Sequence, residues 1–204
     1  MSYSSLFLIG NDYKVAKKID YHNSWLLNPV VWDVMSEKYL GRDPDTGYIR
    51  HVIGFDGGKT WMRLNDQMNA SENMYDRICW EFSNGAVFCS RDKNAVADAL
   101  RTCTEINADF DERVFDAEHI LERFKEVAKD IEEIDTNEIA MFIFKGTSVD
   151  DTVENMFRKY DEHEENVIET SLLTTEQVFE VVLMEDGEIT EFQEGSEWRK
   201  QLEL

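Results

Sequence analysis

Apolar and polar residues alternate most regularly on either side of Asn84-Gly85. Ile78-Cys79-Trp80-Glu81-Phe82-Ser83 precedes that dipeptide and Ala86-Val87-Phe88-Cys89-Ser90 follows it. Asn-Gly between two such runs predicts a β-hairpin with a two-residue type I′ turn, because both central residues of that turn need positive φ. The resulting register sets Phe82 opposite Val87 and Trp80 opposite Cys89, and puts Cys79 on the other face of the ribbon. Asp92 is then placed to cap a helix whose apolar positions Val96, Leu100 and Cys103 follow helical spacing.

The same reading extends along the chain. Ser4 to Ile9 and Val15 to Tyr21 predict two strands joined at Gly10-Asn11-Asp12. Asn28, Pro29 and Gly41 bracket a helix with Val30, Val31, Val34, Met35 and Leu40 on its broad apolar side. Residues Arg42 to Gly58 hold Pro44 and four glycines and predict a loop, with a short strand at Tyr48 to Phe55. Lys59 to Met68 predicts a shorter helix. After Asp116, Ile120, Phe124, Val127, Ile131 and Ile134 form the most regular amphipathic stripe in the chain. Ile139 to Phe144 predicts a strand buried on both faces. A helix is expected from Asp150 or Asp151 to Tyr160, with Val153, Met156, Phe157 and Tyr160 inward. A second hairpin is expected across Glu185-Asp186-Gly187, joining Val178 to Met184 with Glu188 to Phe192. Hairpins and helices mixed without regular βαβ alternation predict an α+β fold. Its sheet should be mostly antiparallel, built from hairpins at Asn84-Gly85 and Asp186-Gly187 and packed with amphipathic helices.

Charge adds a division that hydropathy does not show. The chain of 204 residues has a formal net charge of -22. Its first 103 residues carry 12 Lys and Arg against 13 Asp and Glu, and the rest carry 9 against 30. A near-neutral, Trp-rich α+β half at 1–106 and a strongly acidic α+β half at 107–204 follow, either as two units or as one continuous domain. The acidic half is unsuited to direct nucleic-acid binding, which needs Lys and Arg against phosphate. The longest apolar run, Ile139 to Phe144, falls far short of the ~20 residues that span a bilayer. Cys79, Cys89 and Cys103 lack zinc-ligand spacing, and three unpaired thiols suit a reducing, cytoplasmic setting. No membrane contact and no cofactor are expected.

Motifs for chemistry are absent. Gly54-Phe55-Asp56-Gly57-Gly58-Lys59-Thr60 ends like a phosphate loop, but the required first glycine falls at Ile53. No G-x-S-x-G elbow occurs. The acidic runs at 43–47, 109–112 and 161–165 do not match a calcium loop. Such runs are expected to be solvated faces in a chain with 43 acidic residues. No catalytic residue and no metal ligand are assigned.

These features favour a non-enzymatic protein-protein interaction protein. Its acidic C-terminal half would bind a basic, nucleic-acid-binding partner and inhibit it by imitating phosphate charge, as nucleic-acid-mimic inhibitors, anti-defence proteins of phage or bacterial systems and immunity proteins do. The expected interaction surface is Glu126, Asp130, Glu132, Glu133, Asp135, Asp161, Glu162, Glu164 and Glu165. Two alternatives are a carboxylate- or metal-dependent hydrolase, and an oligomeric adaptor docking through exposed tryptophans of the N-terminal half.

Overall fold

A computed structural model describes residues 2–22, 27–48, 50, 52, 58–106, 117–148, 151–160 and 167–202. The first strands are β1 (Ser2–Gly10) and β2 (Val15–His22), followed by helices α1 (Leu27–Leu40), α2 (Lys59–Asn69) and α3 (Met74–Ser83). A short strand β3 (Val87–Cys89) and a 3-10 turn at Ser90–Asp92 lead into α4 (Lys93–Ile106) and α5 (Ala117–Glu132). Then come β4 (Ile139–Ser148), α6 (Val153–Met156), β5 (Arg158–Tyr160), β6 (Val167–Thr170), β7 (Glu180–Glu185), β8 (Glu188–Glu194) and α7 (Gly195–Leu202).

The α+β class and the mostly antiparallel sheet stand. Six strands run in the order β2-β1-β4-β3-β7-β8, and β5 and β6 form a separate ribbon. Among the described residues, only the pairing of β3 with β7 is parallel within the larger sheet. The near-neutral and acidic parts of the sequence share this sheet, since β4 lies between β1 and β3.

Helices α1 to α5 cover one face. Leu6 and Leu8 of β1, Phe142 and Phe144 of β4, and Val182 and Met184 of β7 point into that layer. The alternate residues Phe7, Ile9, Ile143 and Val181 meet Phe157, Leu172, Phe179 and Trp198 on the other face. This is why Met141 to Phe144 read as continuously apolar: the strand is central and covered on both sides.

The hairpin expected at Asn84-Gly85 does not form. Ile78 to Ser83 is instead the end of α3, and Asn84 and Gly85 cap it. Gly85 has φ 79 and its N–H donates to Phe82 O, while Ala86 N–H returns to Glu81 O. A helix stop and a type I′ turn both call for a left-handed residue, so Asn-Gly serves either. Burial removes the alternation that separated the two: Ile78, Cys79, Trp80 and Phe82 are all in the core. The helix start was legible three residues before Asp76, where the Asn73 side chain accepts from Asp76 N–H at 3.2 Å.

The helix expected up to Tyr160 is also corrected. It is one turn, α6, after which Arg158 to Tyr160 pair with Val167 to Thr170 as β5 and β6. Phe157 keeps its inward position, at 4.9 Å from the Phe7 ring. The hairpin at Asp186-Gly187 forms as expected, with φ 51 and 83 at its two central residues. The strand expected at Tyr48 to Phe55 falls mainly outside the described residues, and so does the start of the acidic half, 107–116.

One buried carboxylate ties α1 to α3. Asp76, 2% exposed, accepts from Lys38 Nζ and from Tyr39 Oη, whose hydroxyl also lies 2.8 Å from Ser71 Oγ. Burial, then the Asp76 hydrogen bond, pushes the Tyr39 phenol up to about 12. Asp76→Asn keeps the shape but removes the charge facing Lys38. It is expected to cost about 2 kcal/mol, read as a lower urea midpoint at unchanged slope.

Candidate functional site

Helix α5 packs Phe124, Val127, Ala128 and Ile131 inward and turns Glu122, Glu126 and Glu132 to solvent, with Asp130 half-buried. Glu126, Asp130 and Glu133 recur at four and three residues, about one turn or 5.4 Å apart. This sets a line of negative charge along the helix. Local cations hold part of it: Arg123 pairs with Glu126, Arg101 Nη2 with Glu132 at 2.6 Å, and Lys129 with Glu133 at 3.7 Å.

The end of the line turns into a groove. After Glu132 the chain passes through Ile134, Asp135 and Glu138 into β4, and the edge strand β2 runs alongside. Between them lies a concavity of about 430 Å³. Leu8, Ile19, Ile134 and Ile139 give it an aliphatic lining, and Ala16 and Lys17 close the β2 side. Asp130, Glu133, Asp135 and Glu138 complete it with four carboxylates.

Two of these carboxylates are held in place. Asp130 accepts from Tyr21 Oη at 2.7 Å. Burial, then that hydrogen bond to Asp130, pushes the Tyr21 phenol far above its ordinary value, so tyrosine stays the donor. Asp135 accepts from the backbone N–H and the side-chain amide of Asn137, both at 2.9 Å. The backbone hydrogen bond is the main reason its carboxyl lies below the usual range, and it therefore remains charged. Asn11 Nδ2 donates to Asn137 O at 2.7 Å and ties the β1–β2 turn to this loop.

No protein-family model, no curated protein and no solved structure matches this chain.

Of the residues expected at the surface, Asp130, Glu133 and Asp135 come together on the groove, while Glu126 lies about one turn back along α5 and Glu132 pairs with Arg101 of α4 instead. Asp161, Glu162, Glu164 and Glu165 lie outside the described residues. Sequence reading missed Glu138 and Lys17. Glu138 carried a local signal, since it ends the acidic link Asp135-Thr136-Asn137-Glu138 between helix and strand. Lys17 carried none, because only the pairing of Leu8 with Lys17 brings it here.

Other candidate chemistry separates in space. Among the described residues, no group of three His, Cys, Asp or Glu is placed to hold a metal ion, and no helix is long and apolar enough to cross a membrane. Cys79 is buried and donates to Ala99 O, and burial pushes the half-buried Cys89 thiol up. Of the tryptophans, Trp80 is buried with its N–H on Asn65 Oδ1 at 2.9 Å. Trp61 is 37% exposed beside Met62 at 52%.

Proposed function

We propose that this protein acts by binding a basic protein partner through the acidic face formed by α5 and the groove at its end, and that it inhibits that partner by occupying a surface otherwise used for nucleic acid. The observation that carries the reading is the convergence of Asp130, Glu133, Asp135 and Glu138 on one concavity continuous with the α5 carboxylate line. Acidic residues outnumber basic ones 43 to 21 over the whole chain, so the long-range field favours approach of a positive surface. A nucleic-acid channel is such a surface, because it is lined for a polymer with one negative charge per roughly 1.7 Å of duplex axis.

The test is retention of a nucleic-acid-binding protein from host lysate at low salt and its release at high salt. With that partner in hand, the Glu132→Gln, Glu133→Gln, Glu164→Gln, Glu165→Gln variant is expected to slow association about tenfold with little change in melting temperature. Association that ignores both salt and these changes removes the reading.

A second reading, docking through the N-terminal half, is supported by the exposed neighbours Trp61 and Met62. It predicts a stable oligomer by sedimentation. A monomer at every concentration removes it.

A further inference from the structure

The groove beside β2 joins two chemistries in one concavity. Leu8, Ile19, Ile134 and Ile139 offer aliphatic contact, and Glu133, Asp135 and Glu138 offer charge. A long cationic side chain has the same division, with a methylene stem and a charged head. Lys17 lies on the opposite side, so the cavity is not uniformly negative. It suits one cationic head placed toward the α5 side better than a cluster of cations.

We propose that this groove seats an arginine side chain presented by the basic partner. Its stem would lie along Leu8, Ile19 and Ile139, and its guanidinium among Glu133, Asp135 and Glu138. Charge complementarity selects a cation, and the number of carboxylates lining one concavity selects arginine. Several acceptors suit a planar fork with five donors, whereas an ammonium is a strongly hydrated point charge. Asp130 and Asp135 already accept hydrogen bonds from Tyr21 and Asn137, which fixes that side of the groove before any ligand arrives. Glu133 and Glu138 are solvent-exposed and complete the acceptor set, and the exposed Lys129, 3.7 Å from Glu133, is the cation a guanidinium would displace there.

This inference rests on the acidic-surface reading and assigns it a chemical anchor. Its test uses the full 15N-labelled chain, titrated at low salt with acetyl-Gly-Arg-Gly-amide. The same peptide carrying citrulline, an uncharged near-isostere, is the control. Saturable amide shifts are expected at residues 16–19 and 130–139 with the arginine peptide and not with citrulline. Glu133→Gln with Glu138→Gln should weaken binding at least fivefold. Glu188→Gln with Glu191→Gln, on exposed positions of β8, should leave it within twofold. Both double variants change exposed side chains only, and an unchanged melting temperature shows that each is folded.

Shifts spread over the acidic surface, or equal weakening by the two double variants, overturn the arginine seat. Salt-dependent retention of a basic partner can survive that result. An equal response to acetyl-Gly-Lys-Gly-amide overturns the choice of arginine. Groove-confined arginine shifts together with no basic partner retained at low salt keep the seat and remove the inhibitor reading.

Discussion

Phe144→Ala is expected to destabilise the protein by about 3–5 kcal/mol, the range for truncating a buried aromatic ring. Phe144 is 1% exposed at the centre of β4 and faces the helical layer. Its ring stacks on Phe82 of α3 with centroids 4.7 Å apart and meets Tyr21 of β2 at 6.1 Å. Leu6 of β1 lies opposite it in the sheet. One ring therefore joins the edge strand, a central strand and a helix. Truncation leaves a void whose lining comes from three separate elements and cannot collapse by moving one of them. Phe144→Leu retains much of the volume and is expected to cost less than half as much. Val178→Ala, at a position 94% exposed, should change stability by no more than about 0.5 kcal/mol. Urea unfolding of the three variants checks the order. A loss below about 1 kcal/mol for Phe144→Ala would falsify the packing of this face.

Glu81→Gln is expected to do the opposite and stabilise the protein at alkaline pH. Glu81 is 8% exposed on α3 among core residues, close to the charge of Glu180. Burial first, then Glu180, raises its carboxyl from 4.5 to about 7, and Arg77 offsets only part of this. A carboxyl raised in the folded state is favoured there in its neutral form. Below pH 4.5, Glu81 is neutral in both states and adds no pH-dependent penalty. Between 4.5 and 7 the unfolded chain ionises while the folded chain resists, so stability falls. Above 7 the loss is complete. It amounts to up to about 3 kcal/mol, because each tenfold difference in proton affinity between the two states is worth about 1.4 kcal/mol.

Glutamine imitates the neutral acid and does not titrate. The two proteins should have similar stability near pH 5, and the variant should lead by up to about 3 kcal/mol at pH 8. Glu180 is also raised, by burial and then by Glu194. For that reason the difference between the two pH curves, rather than either curve, reports Glu81. Parallel curves from pH 5 to pH 8 would show that its carboxyl titrates alike in the folded and unfolded chains.

The candidate groove was partly visible before the fold was known. Asp130, Glu133 and Asp135 fall just where the amphipathic stripe of α5 runs out, so periodicity placed them at a solvent-facing helix end. Their partners across the groove were not legible. Lys17 and Ile19 come from a strand more than a hundred residues earlier, and pairing of β2 with β1 and of β1 with β4 sets their position. No local pattern encodes that distance.

What the sequence determined by itself was the local order imposed by periodicity and turn chemistry. The α5 stripe, the doubly covered strand at Ile139 to Phe144, the Asp186-Gly187 hairpin and the concentration of charge after residue 103 needed no tertiary information. Tertiary structure decided what local chemistry left degenerate. Asn84-Gly85 suits a hairpin turn and a helix stop equally, because both need a left-handed residue. The segment before it became α3 because Ile78, Cys79, Trp80 and Phe82 are all buried in the layer beneath the sheet. Residues 158–160 became a strand because 167–170 pair with them. Only the fold could bring β2 to the end of α5, since a groove is a property of two surfaces and a sequence specifies each surface separately.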